Sequence, residues 1–157
     1  MEIEKIESQT SRKSLEEILK TLGWKDFEDV VAEIFRRNNF LVRENLRIKV
    51  DKRFEIDLVA SRSNLVFCVE CKRWSGGRYK KSILRKSIEK QEERARAVEK
   101  LLLKNELLKR NLKIGENFTV VPLIVTLMEE DLVKEKKTFV VPIDKLNSFL
   151  LDVESLL

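Results

Sequence analysis

Across residues 24–38 the apolar positions return every three to four residues. Phe27, Val30, Val31, Ile34 and Phe35 gather on one side, with Asp29, Glu33, Arg36 and Arg37 on the other, which predicts a helix that packs on a core. Upstream, Ser14 with Glu17 three positions later forms a capping box for a short helix ending at Gly23, and residues 1–12 read as a flexible polar segment. At Phe40 the period changes to two. Residues 40–45 and 46–50 read as a strand region, a turn follows near Asp51 and Lys52, and residues 54–60 read as the next strand. Ser61 to Asn64 supply another turn. Residues 65–72 are apolar almost without interruption until Glu70 and Lys72, as expected of a central strand covered on both faces. A loop at residues 74–79 leads into a long helix over 82–111, where Leu101, Leu102, Leu103, Leu107 and Leu108 suit a core or a partner contact. A strand at 118–127, a charged connection at 129–137, a strand at 138–142 and a last amphipathic helix capped by Asp144 complete the chain. This order predicts an α/β sandwich around a mixed sheet, with 13–157 as a single domain.

The composition narrows the chemistry. Hydrophobic residues make up 43% and charged residues 38% of the 157, which suits a folded domain with a strongly ionised surface. Abundant Lys, Glu and Arg with only Gln9 and Gln91 as glutamines lean towards a thermophilic source. Met1 is followed by charged residues and no apolar run spans a bilayer, so the sequence reads as cytoplasmic, without a membrane. The net charge of +5 permits a polyanionic partner, and the cations concentrate between Lys72 and Arg96. There is no histidine, which removes serine and cysteine triads, histidine-ligated zinc and histidine general bases. Cys68 and Cys71 have Cys-x-x-Cys spacing but lie within a strand, where residues three apart face opposite ways; they read as buried thiols.

Acid-base and metal chemistry must therefore rest on carboxylates and lysine. Asp57 lies in one strand, with alternation placing Ile56, Leu58 and Ala60 on one face and Glu55, Asp57 and Val59 on the other. Glu70 and Lys72, two apart on the next strand, share a face and can meet Asp57 if the strands pair through the turn at Ser61 to Asn64. Two convergent carboxylates suit Mg²⁺ (or Mn²⁺), which prefers oxygen ligands, and the carbonyl of Cys71 could join Asp57 and Glu70. Lys72 would orient or help deprotonate a water activated by that cation and stabilise charge developing on a phosphate. The plainer alternative is a salt bridge between Lys72 and a carboxylate at a sheet end.

Ile56-Asp57, followed 13 residues later by Val69-Glu70-Cys71-Lys72, resembles the motif of the PD-(D/E)xK, restriction-endonuclease-like superfamily, which includes archaeal Holliday-junction resolvases. Ile56 stands where the nominal motif has proline. Phe27-Glu28, Asn39-Phe40 and Cys71-Lys72-Arg73-Trp74 are similar to segments of small archaeal endonuclease-like proteins. The resemblance implies a three-layer α/β/α sandwich with a central mixed sheet, and a metal-dependent endonuclease acting on DNA. It implies that Glu28, on the first core helix, adds an acidic group, and that Gln91, less surely Arg94, faces the site from the long helix. Arg73, Trp74, Arg78, Tyr79, Lys80 and Lys81 would contact nucleic acid through cations and an aromatic stacker. A resolvase, which works as a homodimer, is one alternative. A non-catalytic DNA-binding module on the same fold is another, and an assembly protein using the leucines of the long helix is a third.

Overall fold

The structure, a computed structural model, describes residues 24–73, 81–127 and 133–157. The expected N-terminal segment and short helix, and the loop carrying Trp74, Arg78, Tyr79 and Lys80, lie outside these residues. Helix α1 (Trp24–Arg37) buries the apolar stripe read from its sequence, with Phe27, Val31 and Phe35 inaccessible to solvent. It ends where Asn39 turns to φ 68°, a left-handed conformation that asparagine tolerates, and the Phe40 N–H closes back on the Phe35 carbonyl at 3.1 Å.

Strands β1 (Leu41–Val50), β2 (Lys52–Arg62) and β3 (Leu65–Lys72) form an antiparallel meander, with turns at Asp51 (φ 64°) and Ser63 (φ 55°). Helix α2 (Lys81–Lys104) and the short α3 (Glu106–Asn111) cross the sheet, so that β4 (Thr119–Thr126) returns parallel to β3. Strand β6 (Thr138–Pro142) pairs parallel with β4, and β5 (Val133–Glu135) closes the far edge antiparallel to β6. The strand order is β1-β2-β3-β4-β6-β5, and α4 (Ile143–Leu156) follows β6 directly.

Two cores lie on the two faces of this sheet. Helices α1 and α4 bury Phe27, Phe35, Phe67, Leu123, Val125 and Phe149 on one face. On the other, α2, α3 and the segment to Ile114 bury Val59, Val66, Cys68, Val98 and Leu102. This is the expected three-layer α/β/α arrangement around a mixed sheet. Cys71 belongs to the first core and Cys68 to the second, as opposite strand faces require, and both are free thiols. Among the described residues no helix is long and apolar enough to cross a membrane.

Four details differ from the pattern reading. The long helix breaks at Asn105, whose side chain accepts the Leu108 N–H at 3.0 Å and starts α3; asparagine competes with the helix by bonding the backbone locally. Of the leucine cluster, Leu102 and Leu108 are buried while Leu103 and Leu107 are exposed. Val133–Glu135 is a strand, but a fully exposed one on a sheet edge, so its side chains carry no alternation. Finally, Pro142 rather than Asp144 occupies the N-cap position of α4, its φ of −60° presetting the entry, and Asp144 sits in the first turn, where the helix dipole favours a negative charge.

Candidate active site

The strict alternation expected of β2 fails at Asp57. Leu58 and Ala60 join the core under α1, but Ile56 joins the core under α2 together with Val59, three residues away. Residues three apart in a regular strand face opposite ways, so the ribbon changes its buried face at this point. The partner strand shows the same break. Val42 packs on the α1 core, Leu46 and Ile48 on the α2 core, and Asn45 between them adopts φ 53° opposite Asp57. Asp57 is therefore held at a crossover, half-buried and belonging to neither core.

The regular β2–β3 ladder runs out at Leu58 and Val69. One residue on, the carboxylate of Asp57 takes over the ladder's role: its Oδ2 accepts the main-chain N–H of Cys71 at 2.9 Å. Glu70, 12% exposed at its side chain, reaches the same place and is flanked by two cations. Lys72 Nζ lies 3.7 Å from Glu70 Oε1 and Arg94 Nη1 lies 3.3 Å from Glu70 Oε2. Lys72 keeps a third of its side chain in contact with solvent, so the cluster opens to the surface.

The electrostatics are those of acidic groups crowded together away from water. Burial raises the Asp57 carboxyl above its ordinary value, against the Cys71 N–H bond, the charges of Arg94 and Lys72, and a hydrogen bond with Glu28. Glu70 is raised by burial first and by the charge of Asp57 second, with Arg94 and Lys72 opposing. Burial also holds the Cys71 thiol well above its usual range and raises that of Cys68, so neither offers a thiolate to a metal. Among the described residues, no three or more Cys, Asp or Glu side chains are gathered as a ready ligand cluster.

Of the residues singled out from sequence, Asp57, Glu70 and Lys72 come together, and Glu28, a buried carboxyl on α1, joins them from the other helix layer through its bond with Asp57. Gln91 is placed differently from a residue facing substrate. It is fully buried, and its Nε2 donates to the carbonyls of Cys68 at 2.6 Å and Leu123 at 3.2 Å, tying α2 to β3 and β4. Its Oε1 accepts from Arg94 Nη1 at 3.3 Å, so Gln91 reaches Glu70 only through Arg94. Arg94 is the link between them, and its spacing of three from Gln91, which puts both on one helix face, is the signal of this in the sequence. Arg73 follows β3 half-buried, and Lys81 opens α2.

Residues 23–127 match the family model of the nuclease-related domain, NERD. An uncharacterized protein of Archaeoglobus fulgidus is 29% identical over 130 residues, which cover 82% of this chain and 90% of that protein. The crystal structure of a protein of unknown function, AF1548, is 21% identical with a TM-score of 0.38, over 63% of this chain and 44% of the other. This chain thus spans less than half the length of that protein. The family match takes in α1, the meander, α2 and β4, and hence every residue of the acidic cluster and its cations. The chain belongs to the nuclease-related domain family, within the PD-(D/E)xK-like nuclease superfamily.

Proposed function

We propose that the chain is a metal-dependent endonuclease that hydrolyses phosphodiester bonds of DNA, with Asp57, Glu70 and Lys72 at its centre. The observation that carries this reading is the crossover at Asp57. It brings a carboxylate from β2 and a carboxylate with an ammonium group from β3 to one opening, without committing any of them to a core.

The donor set fits a hard divalent cation such as Mg²⁺ or Mn²⁺. Its atoms are oxygens, the thiols nearby stay protonated, and the charge of Asp57 helps to raise Glu70, a repulsion that a bound cation would relieve. Asp57, Glu70 and the carbonyl of Cys71 would hold it, and such an ion, when bound, supplies Lewis-acid activation of water and neutralisation of phosphate charge. The chain's own groups do the rest. Lys72, beside Glu70 and partly open to solvent, orients the attacking water and stabilises negative charge growing on the phosphate oxygens. Arg94, fixed by Glu70 and Gln91, keeps the Glu70 carboxylate turned to the opening. Glu28, bonded to Asp57, holds that carboxyl in place from α1.

The test is a cleavage panel of linear, branched and single-stranded DNA with Mg²⁺ or Mn²⁺ and with chelator. Cleavage that needs the metal, and that falls on the order of 10²- to 10³-fold in Lys72→Ala and Asp57→Ala with unchanged circular dichroism, is expected. Equal cutting by wild type and both variants refutes the assignment. One observation favours a second reading, a DNA-binding module without catalysis: Glu70 already has two cationic partners, which satisfy its charge without a metal. Salt-dependent DNA binding with no cleavage of any substrate under any metal would select it.

A further inference from the structure

The β1–β2 ribbon does not stop where its neighbour does. Strand β3 leaves β2 after Leu58, while β1 and β2 remain paired to Val50 and Lys52, so the ribbon continues past the acidic cluster as a two-stranded arm. One face of this arm carries Leu46, Ile48, Val50, Phe54 and Ile56 and is packed against the α2 core, which fixes the arm in place. The other face is exposed. Along it run Arg47 and Lys49 from β1 and Arg53 and Glu55 from β2: three cations and one carboxylate.

Their pairing is unfavourable for the isolated protein. Lys49 stands directly opposite Arg53, a like-charge pair that destabilises a ribbon. Glu55 offsets only Arg47, at 3.6 Å with both side chains at least 80% exposed, and among the described residues Lys49 and Arg53 have no ion-pair partner. A fixed row of uncompensated cations on a packed ribbon suits a polyanion. The width of the ribbon says which one. Two strands about 5 Å apart enter the roughly 12 Å major groove of B-form DNA, whereas the deep, narrow major groove of A-form RNA does not admit side chains.

We propose that the exposed face of this arm, centred on Lys49 and Arg53, seats in the major groove of duplex DNA and contacts the phosphates that line it. The proposal rests on the nuclease reading above and adds to it how substrate is held. Arg53 is four residues from Asp57, about 13 Å along the strand, so a duplex gripped by the arm passes the acidic cluster within a few base pairs.

The experiment measures binding of labelled duplexes of two unrelated sequences, by fluorescence anisotropy in chelator, over a range of NaCl concentrations. The double variant Lys49→Gln/Arg53→Gln is compared with wild type. The slope of log affinity against log salt is expected to become shallower by about two, roughly one for each phosphate contact removed, and equally on both sequences. Because the double variant relieves a repulsion, it melts no lower than wild type. An unchanged affinity and slope, or a wild type that binds no duplex, overturns the proposal, and an equal loss on duplex RNA overturns the choice of DNA. The two readings fail separately. A slope change in a protein that cleaves nothing leaves the arm and removes the nuclease, while cleavage with an unchanged slope does the reverse.

Discussion

Gln91 is where the structure makes its sharpest quantitative demand. Its side chain is fully buried, and Nε2 donates to two strand carbonyls, of Cys68 and Leu123, while Oε1 positions Arg94. Gln91→Met keeps length and approximate volume and removes every polar atom, so the change is in hydrogen bonding rather than packing. A buried group that loses its partner costs about 1–3 kcal/mol. Strand carbonyls have a second lone pair for the ladder and Arg94 keeps its ion pair with Glu70, which favours the lower part of that range for each of the three lost bonds, so the change amounts to about 2–3 kcal/mol. For a chain of this length that is a fall in melting temperature of roughly 5–10 °C. Circular dichroism melts and urea titrations in chelator would read it, the midpoint moving with the slope unchanged. Gln91→Glu should be worse at neutral pH, since a carboxylate would face two carbonyl oxygens, and should recover as pH falls and the acid regains a donor. A Gln91→Met protein within about 0.5 kcal/mol of wild type, the size of an ordinary surface substitution, would refute the claim that this amide clamps α2 to the sheet.

Three further outcomes follow from the same geometry. Burial raises Asp57 and Glu70 in the folded state above the ordinary values of 3.8 and 4.5, so the fold binds their protons more tightly than the unfolded chain does; metal-free stability from this pair is present at acidic pH and is lost as pH rises through the raised values. Asp57→Asn should therefore melt above wild type at neutral pH in chelator and converge with it near pH 4, and a variant that melts lower throughout would contradict this. Asn105→Ala removes the cap that starts α3 and should cost about 1 kcal/mol, seen as a melting temperature lower by roughly 2–4 °C. At Asn45, whose φ is 53°, Asn45→Val should lose about 1–2 kcal/mol while Asn45→Gly loses much less; equal losses in chemical denaturation would show that the left-handed backbone is not what matters there.

The layers of the fold were written in periodicity. The stripe of α1 and the unbroken apolar run of β3 gave their bounds to within a residue, because each buries side chains in the way its period requires. Asp57, Glu70 and Lys72 were legible for a related reason: charges at the end of an otherwise apolar strand have to be explained. What stayed hidden depends on tertiary placement. Gln91 looks like any polar residue on a helix, and only the position of α2 over β3 and β4 shows its amide aimed at two carbonyls. The crossover at Asp57 was invisible because even-numbered residues stay apolar on both sides of it; the alternation persists while the core it addresses changes. The strand at Val133–Glu135 is three residues long and has no buried position, so it leaves no alternation in its sequence.

The crossover separates two kinds of selection on the sequence. Side chains at residues 56, 58 and 59 are constrained by the space they fill, whereas the side chain at 57 is constrained by charge and by its hydrogen bonds with Cys71 and Glu28. A lineage could exchange the acid there, and with it the chemistry, while its scaffold kept the same packing and nearly the same stability. In such a design an active ancestor and an inactive descendant differ by very few residues and look alike in every other respect.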